Sequence, residues 1–154
     1  MPRADIRTAA AEDLATVHAI RREVFIVEQG VPADEEWDEL DATSVHLLAL
    51  DEDGAPLGTA RLIHGPEALA IAGRPGTVLL GRLAVLKPGR GTGLGAALVR
   101  AVEEAGRAHG GTEMELHAQV QALGFYERLG YAAHGPEYLD GGIPHRTMTR
   151  ALTP

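Results

Sequence analysis

Apolar positions change period several times along the chain, and the changes divide it into elements. Ile6-Arg7-Thr8 predicts a short strand. Leu14, Val17, Ile20 and Val24 then recur at helical spacing, with Glu12 and Asp13 near the positive end of the helix dipole. Gly30 and Pro32 stop that helix. Val45–Leu50 predicts a strand, Asp51-Glu52-Asp53-Gly54 a turn, and Leu57–Ile63 the hairpin partner. Gly65-Pro66 breaks the pattern, and residues 67–76 fit an excursion at the surface. Val78–Leu86 is mostly apolar, as a central strand would be. After a loop comes the clearest helix: Leu94, Leu98, Ala101, Val102 and Ala105 share one face, with Glu103, Glu104 and Arg107 opposite, and His109-Gly110-Gly111 ends it. Met114–Ala118 predicts a strand, and Ala122–Leu129 a short helix stopped by Gly130. Strands around Tyr131-Ala132-Ala133 and over Ile143–Met148 close the chain, joined through Gly141-Gly142. This order predicts one α/β domain with a mixed sheet over residues 1–154.

Composition narrows the function classes. With 154 residues, 45% hydrophobic and 23% charged, the chain suits one globular core, not disorder or coiled coil. No apolar run approaches the roughly 20 residues that span a bilayer. The start, Met1-Pro2-Arg3-Ala4-Asp5, lacks the apolar stretch of a secretory signal, so a cytoplasmic location is expected. The chain has no cysteine, which removes disulfides, thiolate metal sites and thiol nucleophiles. A net charge of −8 disfavours nucleic acid and anionic membranes as partners. The charge is uneven: between Glu67 and Glu103 there is no acid, while Arg74, Arg82, Lys87, Arg90 and Arg100 give +5. That island predicts a site for a small anion.

Inside the island lies Arg90-Gly91-Thr92-Gly93-Leu94-Gly95, between a strand and a helix. Glycines let backbone approach a ligand, and a helix start offers free N–H groups and partial positive charge to an anion. Arg90 adds charge-assisted donors. No Gly-Lys-Ser/Thr ends the motif, which excludes a triphosphate P-loop. Ala96 stands where a dinucleotide fingerprint needs its third glycine. The loop instead resembles the Q/R-x-x-G-x-G/A pyrophosphate signature of the GNAT acyltransferase superfamily. The likeness continues in Gly81–Val85, in Leu116–Gln119 and in Ala122–Tyr131. Arg22–Gln29 and Gly142-Ile143-Pro144-His145 are similar to the ElaA-like branch.

The resemblance implies a central mixed, mostly antiparallel sheet of six or seven strands, flanked by about four helices and splayed at the strand before the loop. It implies an N-acetyltransferase that moves an acetyl group from acetyl-CoA to a primary amine within a ternary complex, without a metal. The backbone of Leu83, Ala84 and Val85 would pair with the pantetheine arm; Arg90, Gly91, Thr92, Gly93, Leu94 and Gly95 would hold the pyrophosphate. Tyr126 matches the tyrosine that protonates the departing thiolate. Gln119 stands where many relatives carry Asn. Glu28 is the first candidate for general base, with His117, His145 and a water chain as alternatives. The acceptor would be a small-molecule or peptide amine, and a homodimer is common in such folds. Two other functions remain open: synthesis like that of acyl-homoserine-lactone synthases, and a non-catalytic acyl-CoA-binding regulatory module. In Asp34–Asp41 six of eight residues are acidic. They fit a cleft mouth that attracts an amine, or a solvated turn with Trp37 and Leu40 tucked inward.

Overall fold

In the computed structural model, which describes residues 4–153, alternate side chains of the central strands are buried on both faces of one sheet. The strands are β1 (Asp5–Thr8), β2 (Val45–Leu50), β3 (Pro56–Ile63), β4 (Thr77–Val85), β5 (Glu113–Gln119), β6 (Ala132–Asp140) and β7 (Ile143–Ala151). They lie in the order β1-β2-β3-β4-β5-β7-β6. Only β4 and β5 run parallel; every other neighbouring pair is antiparallel.

Among the described residues, five α-helices flank the sheet. The amphipathic α4 (Leu94–Ala108) is the parallel crossover; its Leu98, Val99 and Val102 are fully buried against Leu47, Ala60, Leu62, Val78 and Leu80. The opposite face of the same strands turns Leu48 and Ala84 to α1 (Leu14–Arg21), through Val17 and Ile20. There Ile63 and Leu79 meet Ala68 of α3 (Gly65–Ala72). The α2 turn (Ala33–Glu36) and α5 (Leu123–Arg128) complete the set. The chain after α1 continues as a π-helical turn over Arg22–Glu28. Gly58 marks a close approach between sheet and helix: a Cβ there would stand 2.9 Å from the Ala84 oxygen and 3.0 Å from Leu98 Cδ1. Among the described residues no helix is long and apolar enough to cross a membrane.

Three expectations change. The surface excursion after Gly65-Pro66 is helix α3, because proline fits the first turn of a helix, where its missing N–H is not needed. Glu103 does not lie on the solvent face of α4; it is 1% exposed and accepts bonds from Arg100 (3.0 Å), Arg150 (2.8 Å) and the Tyr131 hydroxyl (2.8 Å). The last hairpin is longer than its apolar core, nine residues in each strand, because β6 runs through Gly135-Pro136 with a register shift between His134 and Tyr138.

Candidate active site

The site begins with an irregularity in β4. Thr59 pairs with Ala84 and Arg61 with Gly81, so Arg82 and Leu83 together face only Ala60, forming a β-bulge. Arg82 takes φ 52°, the only positive φ of a non-glycine residue among those described. The ladder between β4 and β5 stops after Thr77–Leu79 and Glu113–Glu115. Beyond it the strands diverge, which is the predicted splay. The Leu86 N–H donates to Leu57 O at 2.8 Å. Alternation along the strand therefore aims the Leu83 and Val85 peptides at the gap and the Ala84 peptide at β3.

A cavity of about 650 Å³ lies in and below this gap. Leu83, Gln119 and Tyr126 line it, as do His117 on β5 and His145 on β7. Tyr126 is 9% exposed, its ring edge-on to Phe125 and Tyr131. Burial pushes its hydroxyl up to about 12, so the proton stays on through neutral pH. Gln119 accepts a bond from the Gln121 amide. Asp140 and Glu35 stand at the mouth, and Gly141 lies against Glu35, so the last hairpin reaches α2 there.

The glycine loop sits beside the gap at the start of α4. Gly91 and Gly93 both have positive φ, with open space where a Cβ would stand. Thr92 Oγ1 donates to Gly89 O at 2.6 Å, closing the turn. No side chain caps α4 and no acid lies in its first turn, so its leading N–H groups, including those of Leu94 and Gly95, are free. Arg90 is committed elsewhere: its Nε donates to Val85 O at 2.9 Å and its Nη2 pairs with Glu28. The first-choice base and the loop arginine are thus partners. Glu28 does not line the cavity, whereas both alternative histidines do.

Three of the other four island charges, all but Lys87, are also paired among the described residues. Arg74 bonds Glu113 and Glu115, Arg82 bonds Glu36 and Asp38, and Arg100 bonds Glu103. Carboxylates remote in sequence are adjacent in space, so the +5 window is not a bare cationic patch. Neither reading of Asp34–Asp41 holds in full. Glu36 is 2% exposed and accepts from Arg21 Nε (2.8 Å) and Arg82 Nε (3.1 Å). Asp41 takes Arg21 (2.7 Å) and Arg61 (3.0 Å), while Asp38 takes Arg61 (2.7 Å) and Arg82 (3.2 Å). Burial raises the Asp41 carboxyl, but Arg21 and Arg61 outweigh it and hold the group below its usual range. Trp37 stays 36% exposed under the Arg21 guanidinium instead of entering the core. Three acids and three arginines therefore form one ion network, and it grips Arg82 where the strand bulges.

This architecture is shared with known proteins. Residues 7–152 match a family model described as an acetyltransferase (GNAT) domain. The uncharacterized N-acetyltransferase YjcF of Bacillus subtilis is 37% identical over 140 residues, covering 90% of this chain and 93% of that protein. An acyl-CoA N-acyltransferase from Pseudomonas aeruginosa superposes with a TM-score of 0.80 at 32% identity, covering 98% of this chain and 100% of that one. Escherichia coli ElaA superposes with a TM-score of 0.79 at 26% identity, covering 97% and 99%. The chain belongs to the GNAT acetyltransferase family.

Proposed function

We propose that the protein is an N-acetyltransferase that moves an acetyl group from acetyl-CoA to a primary amine by direct attack in a ternary complex. The observation that carries this reading is the open edge of β4, where Leu83 and Val85 turn peptide groups into a gap that β5 leaves unpaired. An extended arm with amides of its own can take that edge as an added strand. The free N–H groups of Leu94 and Gly95, and the open space at Gly91 and Gly93, suit a pyrophosphate. The thioester supplies an activated acyl group. The Val85 N–H would donate to its carbonyl oxygen as charge develops there, and Tyr126 would give the departing sulfur a proton. The acceptor enters past Glu35 and Asp140, whose charges favour an ammonium.

The testing experiment is a thermal melt with acetyl-CoA, using NAD and ATP as controls. Saturation near 100 times the dissociation constant adds about 2.7 kcal/mol. That raises the melting temperature by roughly 5–11 °C for a domain of this size. A shift no larger than that given by ATP or NAD would defeat the reading.

Arg90 must leave Glu28 to reach a phosphate. Arg90→Ala therefore weakens acetyl-CoA binding by about tenfold or more, as expected for a lost charge-assisted bond of roughly 1.5–3 kcal/mol. Glu28→Gln tightens it by up to about fivefold, because an exposed ion pair worth at most about 1 kcal/mol no longer competes. Titration calorimetry of both variants checks the signs, and weaker binding by Glu28→Gln would refute the competition.

A further inference from the structure

On β5 the side chains at 115 and 117 share the face turned away from α4, because strand side chains repeat every two residues. Glu115 is 4% exposed, and each of its oxygens has a partner. Arg74 Nη2 donates to Oε1 at 2.8 Å, and His117 Nε2 meets Oε2 at 2.8 Å. A carboxylate only accepts, so His117 Nε2 carries the hydrogen and Nδ1 is left as the ring's acceptor. The His117 side chain is 38% exposed and lines the cavity that also holds Tyr126. Its other surroundings are Tyr138, edge-on at 6.2 Å between ring centres, and Thr147, opposite it in register on β7.

The rival groups are placed less well. His145 is 9% exposed; its Nδ1 donates to Ile143 O at 2.7 Å, and no carboxylate backs the ring. Glu28 is paired with Arg90 away from the cavity wall. Glu36 reaches the cavity as the counter-charge of Arg21 and Arg82.

We infer that His117 is the group that takes the proton from the acceptor ammonium, and that Glu115, steadied by Arg74, is its positioning residue. The inference rests on the acyl-transfer reading above and names the base that reading leaves open. His117 Nδ1 accepts one proton from the ammonium. The freed nitrogen lone pair attacks the thioester carbonyl carbon; the C–N bond forms and the C–S bond breaks. Tyr126 gives its hydroxyl proton to the departing sulfur and recovers one from the nitrogen, which becomes the amide. His117 returns its proton to water through its exposed edge, so the reaction releases one proton overall. An acid-base dyad of this kind needs only two residues on one strand and a charge behind them.

The test measures thiol release from acetyl-CoA with a panel of small primary amines, including propylamine, 1,3-diaminopropane and glycinamide. For an amine turned over by the unaltered protein, His117→Ala lowers turnover by about 10²-fold or more. The KM for acetyl-CoA and the melting shift it induces stay unchanged. Added imidazole raises the rate of His117→Ala in proportion to its concentration, and has no such effect on the unaltered protein. Glu115→Gln lowers turnover less, and imidazole does not restore it, because the ring is present but loosely held. A His117→Ala variant that keeps the parent rate, or one that loses it and does not respond to imidazole, overturns the inference while leaving the acyl-transfer reading intact. No thiol release by the unaltered protein with any amine of the panel overturns that reading, and this inference with it.

Discussion

Replacing Arg21 with Met lowers the melting temperature by about 6–20 °C. Arg21 is 0% exposed and its guanidinium donates to Glu36 Oε1, Glu36 O and Asp41 Oδ1. Burial alone works to lower its proton affinity, but the bonds to Glu36 and Asp41 outweigh it and raise it, so the charge is firmly held. Removing one partner of a buried pair leaves an uncompensated charge and costs about 3–5 kcal/mol. At roughly 2–4 °C per kcal/mol this gives the stated range. A loss below about 2 °C in calorimetry would show that the network is not an energetic unit. The damage extends to the site, because Glu36 and Asp38 also hold Arg82 in its left-handed conformation. A non-glycine residue in that region stores about 1–3 kcal/mol that its surroundings must offset. Relaxing the bulge would let β4 swing back toward β5 and narrow the gap.

Tyr126→Phe slows thiol release by about 10²–10⁴-fold, the usual worth of a positioned proton donor. The substitution keeps the ring, and with it the edge contacts to Phe125 and Tyr131, so stability and the acetyl-CoA melting shift are retained. Since burial holds the hydroxyl up to about 12, its loss of a proton leaves no alkaline limb in the activity profile below that pH. Steady-state kinetics on the purified variant decide the matter: turnover at the parent rate removes Tyr126 from the acid role.

Local signals in the chain were good guides where the physics is local. The apolar run Val45–Leu50 marks β2 with its observed bounds, and the apolar stripe of α4 begins at Leu94 as found. Gly65-Pro66 misled because the same two residues suit a break and a helix start. The ion network was not legible: its pairs join residues 15–46 apart in sequence, and only the folded chain brings Glu36 under both Arg21 and Arg82. The same blindness turned the island at Arg74–Arg100 into a seemingly free cationic patch. Arg90 beside Glu28 has the same cause, 62 residues separating two groups that touch. Glu115 was the avoidable miss. Its spacing of two from His117 within a predicted strand already places both on one face.

The interrupted ladder between β4 and β5 has a consequence for how the protein breathes. In most sheets the central strands exchange their amide hydrogens last, because both edges of each are bonded. Here the stretches Leu80–Val85 and Leu116–Gln119 have no rungs between them, although they lie in the middle of the sheet. Amides that face one another across that line have no strand acceptor to protect them. A line of labile hydrogens therefore runs down the centre of the sheet, as well as along its two outer edges at β1 and β6. Within the sheet, three residue pairs at one end of the seam join the β1-β2-β3-β4 half to the β5-β7-β6 half, so it is the shared apolar core under α4 that holds the two together along the rest of the line.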